Sequence, residues 1–188
     1  ATDQPLSRSQ QLAEDAAAGL ARAVAEDGVH LDALVHEHHA AALAARPDAK
    51  RRWFLESPGT TIDRFEMDFR VGGRYHYGLE GLNGLQMWGL QQFLEIVPER
   101  KVVHLQSFSN PEGGLASNPM APTWPAYLHV TATWEESPNG GTVYTISWRP
   151  HESDEIGIAT FESARDGMKA GFGGTFAKLD SYLIQLQG

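Results

Sequence analysis

The 188-residue sequence contains no cysteine, which excludes disulfides, thiolate zinc sites and a cysteine nucleophile. Basic residues are also scarce: 15 Lys and Arg stand against 24 Asp and Glu, a formal charge of −9. Binding a phosphate backbone takes clustered Lys and Arg to displace counterions, so this balance argues against nucleic acid as a partner. No apolar run approaches the roughly 20 residues of a membrane span, and the acidic, Gln-rich start does not have the form of a signal peptide. The sequence also lacks a nucleophile elbow, a P-loop and a dinucleotide fingerprint. A cytoplasmic, acidic protein is expected, whether enzyme, ligand carrier or interaction module.

What is present changes once along the chain, near residue 50. Residues 1–50 are alanine-rich and hold no aromatic side chain, whereas all five Trp and all eight Phe fall within 53–188. Leu12, Ala16, Leu20 and Val24 recur at helical spacing in QQLAEDAAAGLARAV, which predicts a helix over 10–24. A second run, LDALVHEHHAAALAAR, follows Gly28 and is predicted to be helical until Pro47 stops it. Both have thin apolar faces and need a surface to dock on. That surface is either the rest of the chain or a second copy, so a homodimer is one expectation. The division expected is a helical extension over 1–28 and a main domain over 29–188.

From Thr61 the period changes to two. In TIDRFEMDFRV, Phe65, Met67, Phe69 and Val71 share one face and charged residues the other, as in a half-buried antiparallel strand. Gly72-Gly73 turns into RYHYGLE, and 81–84 turns into LQMWGLQQFLEIV, whose apolar set reads as Trp88, Leu90, Leu94 and Ile96. KVVHLQSFS, YLHVTATWEE and TVYTISWRP follow, the last two joined by an Asn139-Gly140-Gly141 hairpin signal. Six strands are predicted. In the C-terminal run, Phe161, Met168, Phe172, Thr175, Phe176, Leu179, Tyr182, Leu183 and Leu186 trace one face of a long helix. Strands in succession followed by one amphipathic helix predict an α+β fold, with the helix lying across a curved antiparallel sheet and room for a cavity beneath it.

The segments RPDAKRRWF, DFRVGGRYHY, MWGLQQFLEIVPERKVVHLQSF and ATFESARDGMKAGFGGTFAKLDSYL together resemble the family related to the C-terminal domain of the Hsp90 ATPase activator. That family sits within the START-like (Bet v 1-like, polyketide cyclase-like) superfamily. The likeness runs from about residue 45 to 188, and its most specific part is Met168, Gly171, Phe172, Gly173-Gly174 and Leu179. It implies a helix-grip fold, a curved antiparallel sheet wrapped around a long C-terminal helix with two short helices after the first strand. It also implies an interior cavity that holds an apolar or aromatic small molecule, in a family most of whose related members are not known to catalyse a reaction; no cofactor is expected. The span ahead of Pro47 departs from the family pattern, carrying alanines where the family has a β-branched first strand and an aromatic-bearing helix.

Trp53, Phe69, Tyr75, Tyr77, Trp88, Phe108, Phe172 and Phe176 fall where strand parity or helical face points inward. They are expected either to line a pocket that stacks on a flat or greasy ligand or simply to fill the core. Met168 belongs to the same helix face. His104 brings an imidazole into the cavity if Val102 and His104 face inward, and is a surface or satisfied histidine if Val103 and Leu105 do. Trp124, in the proline-rich loop SNPEGGLASNPMAPTWPAY, either closes over the cavity mouth or pins the loop to the core. Gly167, Gly171, Gly173 and Gly174 weaken a helix, and close helix–sheet approach, a kink or space for a ligand would each account for them. His36 and His39 share a helix face but lack HExxH spacing and a third ligand, so no metal site is expected. Asp68 is expected to pair with Arg70 or Arg74.

Three functions fit these readings. The leading expectation is non-catalytic binding of an apolar or aromatic small molecule. The second is a cyclase- or aromatase-like enzyme in which Tyr75, Tyr77 or His104 moves protons. The third is an interaction protein associated with Hsp90.

Overall fold

The computed structural model describes residues 29–35, 47–56, 59–81, 84–136, 138 and 142–187. Seven strands form one antiparallel sheet: β1 (Val29–Val35), β2 (Thr61–Met67), β3 (Arg74–Glu80), β4 (Gln86–Val97), β5 (Lys101–Phe108), β6 (Tyr127–Glu136) and β7 (Thr142–His151). Their order across the sheet is β1-β7-β6-β5-β4-β3-β2. The six predicted strands are all there, each paired with the next in sequence. A short helix, α1 (Pro47–Lys50), runs on through one π-helical turn (Arg51–Leu55) before β2, while α2 (Glu155–Ser163) and α3 (Arg165–Gln187) follow β7.

The seventh strand is a correction. Residues 31–35 were expected to begin a helix, yet Val29–Val35 is the edge strand β1, antiparallel to β7 with Val29 opposite Trp148 and Val35 opposite Thr142. Leu and Ala favour a helix by only tenths of a kcal/mol per residue, about what one ladder of hydrogen bonds to an open sheet edge overcomes. The strand supplies the first element that the family resemblance implies. The remainder of that expected helix, the helix expected over 10–24 and the His36–His39 cluster lie outside the described residues.

The apolar face expected in β4 is corrected as well. Gln91 and Phe93 are buried, whereas Leu94 is 42% exposed, and Trp88 faces the opposite side of the sheet from Phe93. A bulge between Phe93 and Glu95 shifts the register, so that Ile96 returns to the core below it. Trp88 lies over Gly78, where any Cβ would meet its ring, with the His76 ring 5.5 Å away and the Arg64 guanidinium 5.9 Å from its centroid. Val71 is also outside, since β2 ends at Met67 and the chain turns through Gly72, whose φ of +79° suits glycine. At Gly73 a Cβ would strike the carbonyl oxygen of Asp68. Asp68 pairs with Arg70 at 2.8 Å, one of the two partners expected, in an exposed contact of little energetic weight.

The long C-terminal helix is two helices. Asp154 caps α2, its Oδ1 accepting from the Gly157 backbone N–H at 2.8 Å. The chain breaks at Ala164, whose N–H turns back to Phe161, and Arg165 opens α3 paired to Glu162 at 2.7 Å. The expected helical face packs on the sheet: Phe161, Phe176 and Leu179 are buried with Leu128, Val130, Ala132 and Trp134 of β6 and Tyr144, Ile146 and Trp148 of β7. A second cluster joins Leu55, Tyr75 and Phe93 to Phe65, Met67 and Phe69.

Close helix–sheet approach does not account for the α3 glycines. Added Cβ atoms at Gly167, Gly171, Gly173 and Gly174 would meet nothing within 4 Å among the described residues. Their main effect is then to weaken the helix, by about 1 kcal/mol each relative to alanine. The double substitution Gly171→Ala/Gly174→Ala is expected to stabilise the domain by about 1–2 kcal/mol, read as a higher melting temperature by circular dichroism. A lower one would mean that the glycines meet a surface.

Candidate ligand cavity

The inner face of the sheet follows from the registers. His104 stands opposite Phe93 on β4 and Val130 on β6, and Gln106 stands opposite Gln91 and Leu128. This settles the parity of β5: Val102, His104 and Gln106 point inward. On β6 and β7, Ala132 faces Ile146, Trp134 faces Tyr144, and Val130 faces Trp148. Phe172 of α3 closes the space from above, its ring centroid 4.2 Å from that of Trp148.

The remaining wall comes from α1. Pro47 suits a first helical turn because its missing N–H would be unpaired there anyway. Ala49 is fully buried, which anchors the helix and turns Lys50 and Phe54 towards the sheet. Lys50 Nζ donates to Gln91 Oε1 at 3.2 Å and lies 4.7 Å from the Tyr75 ring centroid and 5.7 Å from that of Phe54. The residue keeps some solvent contact along its length, but its ammonium sits among the cavity walls.

These elements enclose a cavity of about 30 Å³. Its walls are aromatic and aliphatic on most sides: Phe54, Phe69, Val102, Ala132, Trp134, Tyr144, Ile146, Trp148 and Phe172. The polar walls, Lys50, Gln91, His104 and Gln106, stand together on α1, β4 and β5. Among the described residues, neither ring nitrogen of His104 has a hydrogen-bond partner, nor does the buried Tyr75 hydroxyl. Burial, with the Lys50 charge nearby, pulls the His104 imidazole down to about 3, so it is neutral. Burial lowers Lys50 to about 8. Burial raises Tyr75, with a contribution from Tyr77, and pushes Tyr77 itself up to about 12.

Of the residues expected at the site, Phe69, His104 and Phe172 line the cavity. The others stand elsewhere. Tyr75 and Tyr77 pack beside it in the second core cluster, with Tyr77 lying over Gly89. Phe176 and Met168 belong to the α3–sheet core, Phe176 packing behind the cavity wall Tyr144, 5.3 Å between ring centroids. Phe108 shares a face with Gly89 at the far end of β5 and is not among the walls. Trp88 is on the outer face, the wrong side of a period-two strand. Trp124 packs on Phe161 of α2 at 5.6 Å, which pins the loop to the core. Nothing is described of the Trp53 side chain. His76 and His129 lie on the outer face, His76 bonded to the Asn110 carbonyl at 3.2 Å.

Sequence reasoning missed the β6 and β7 walls, although YLHVTATWEE and TVYTISWRP carry the signal: strict alternation sets Trp134 with Val130 and Ala132, and Trp148 with Tyr144 and Ile146. Lys50 gave no signal, since a lysine in the run DAKRR reads as solvated. No cluster of metal-ligating side chains occurs among the described residues, and no described helix is long and apolar enough to cross a membrane.

A family model for activator of Hsp90 ATPase homolog 1-like proteins matches residues 42–184, most of the sheet and both C-terminal helices. The chain belongs to that family. Among solved structures, protein Ms6760 of Mycobacterium smegmatis superposes with a TM-score of 0.65 at 18% identity, over 82% of this chain and 88% of that one. A protein from Arthrobacter aurescens gives 0.63 at 22% identity over 83% and 85%, and one from Staphylococcus epidermidis gives 0.64 at 17% over 83% and 88%. At such identities these likenesses establish the α+β helix-grip fold of the activator-like family and nothing about ligands. No protein with a curated description matches.

Proposed function

We propose that this activator-like domain binds a small apolar or aromatic molecule in the cavity between sheet and C-terminal helix, without catalysing a reaction on it. One observation carries the reading: inside an aromatic enclosure, His104 presents ring nitrogens that no described residue meets in hydrogen-bond geometry. Buried polar atoms are nearly always hydrogen-bonded, and one left alone costs about 1–3 kcal/mol. A bound molecule with a polar group removes that cost. The cavity of about 30 Å³ takes a water or two, whereas drug-sized ligands occupy roughly 300–1,000 Å³. Binding therefore moves a wall, and Phe172, half-buried on α3 between Gly171 and Gly173, is the wall that the helix carries.

Proton transfer by Tyr75, Tyr77 or His104 has weaker support. A general base works best near the operating pH, and all three are shifted away from neutrality. Native mass spectrometry of protein purified from its own host, followed by denaturing extraction, tests the binding reading. A stoichiometric small molecule is expected. A protein that carries none but co-purifies with Hsp90 would replace this reading with the interaction one.

A further inference from the structure

The cavity is apolar except at one end, and the chemistry of that end specifies what a ligand must bring. Lys50 contributes an ammonium with three donors, of which Gln91 takes one, and the faces of Tyr75 and Phe54 lie beside it. Ring faces attract a cation but do not neutralise it. No carboxylate among the described residues lines the cavity. His104 stands in the same cavity, 4% exposed, with both nitrogens unpartnered. Being neutral, it has one N–H to donate. Unpaired donors thus gather around one uncompensated positive charge.

We infer that this end of the cavity is a carboxylate subsite, in which the Lys50 ammonium and the His104 N–H hold the acid group of a small aromatic carboxylic acid. The inference rests on the small-molecule reading above and narrows it. A carboxylate accepts through both oxygens and donates nothing, which matches the Lys50 ammonium and the His104 N–H and leaves the second His104 nitrogen, an acceptor, unmet. Its single negative charge matches the single lysine, whereas a phosphate ester brings nearly two. Phe54, Phe69, Trp134, Tyr144, Trp148 and Phe172 supply faces and edges for the ring. A neutral alcohol of the same shape leaves the ammonium without a counter-charge.

The probes are 2-naphthoate and the isosteric 2-naphthalenemethanol, with binding followed by calorimetry and by the fluorescence of the cavity tryptophans. The wild-type protein is expected to prefer the acid about tenfold or more, as for a charge-assisted hydrogen bond in place of a neutral one. Lys50→Met is expected to bring that preference close to one, and Lys101→Met, at an exposed ion pair with Glu95, to leave it unchanged. Should the wild type take the alcohol as tightly as the acid, or Lys50→Met keep the preference, the subsite is overturned and the cavity reading survives. Binding of neither probe overturns both. If Lys50→Met does not fold, NMR titration of the wild-type lysine decides instead: naphthoate is expected to raise the Lys50 pKa, and an unmoved pKa refutes the pairing.

Discussion

Replacing Lys50 by methionine is expected to raise the unfolding free energy by about 1–3 kcal/mol near neutral pH, although it removes a positioned side chain. Methionine keeps the length of the stem and its contacts with Tyr75 and Phe54 while removing a charge that no described carboxylate balances. The sign follows from proton binding. Burial lowers Lys50 from 10.5 to about 8 in the folded state, so between those values the unfolded chain holds a proton that the folded chain does not. The contribution of Lys50 to wild-type stability therefore rises with pH across that window, and the lysine penalty is complete below about pH 8. The advantage of Lys50→Met should be greatest at pH 7 and should shrink towards pH 10.5. Chemical denaturation of both proteins at pH 7 and 9.5 measures it. A variant less stable than wild type at pH 7 would show that the ammonium is satisfied by groups other than those described. A residue that weakens the domain unless an acid is bound makes stability depend on ligand, so naphthoate should protect the wild type from unfolding more than it protects the variant.

The second large effect is on the acid side. His104 ordinarily titrates at 6.5 and is held at about 3 by burial and by the nearby Lys50 charge. In that interval the unfolded state takes up a proton that the folded state refuses, so this group makes stability fall as pH falls through 6.5 towards 3. The loss is about 1.4 kcal/mol per pH unit, hence about 3 kcal/mol by pH 4. His104→Leu, close in volume, removes the titration and one pair of unsatisfied nitrogens. The difference in stability between pH 7 and pH 4 should be smaller in His104→Leu than in wild type by about that amount, the carboxylates contributing equally to both. Equal pH dependence would mean that water reaches the imidazole and charges it inside the fold. Tyr75, Tyr77 and Tyr144 are all pushed upward by burial, so they lower stability towards pH 10 in wild type and variants alike and cancel in each comparison, and they do not titrate on the acid side.

Much of this architecture was written in local pattern. Phe161, Phe176 and Leu179 could be placed on one helix face because an amphipathic period survives any choice of partner, and β6 and β7 alternate without interruption. Where the pattern failed, a non-local cause is visible. β1 is a strand because β7 offers an open edge, and no residue within 29–35 carries that information. In β4, the bulge after Phe93 breaks the period, and buried Gln91 is explained only by Lys50, which arrives from α1. Trp88 looked like an inner aromatic because size and apolarity do not distinguish the two faces of a sheet that is covered on one side by α3 and on the other by Arg64 and His76. The candidate site was less legible than the fold for the same reason. His104 could be named from β5, but the lysine that gives the cavity its charge reads in sequence as one more surface cation.

The pairing of the first strand with the last has a consequence for the order of assembly. Strands β2 to β7 form hairpin by hairpin from neighbours in sequence, whereas β1 must close a loop containing nearly the whole domain. On the ribosome it emerges first and waits for β7, a delay on the order of ten seconds at 5–20 residues per second. Once β7 has formed, and until β1 finds it, the edge of β7 along Tyr144, Ile146 and Trp148 lies open. Any other chain that reaches this edge first competes for it, and a second nascent copy carries the matching strand. Exchange of β1 between copies is thus the misassembly to which this topology is most exposed, and it grows with synthesis rate while leaving every contact of the mature fold intact.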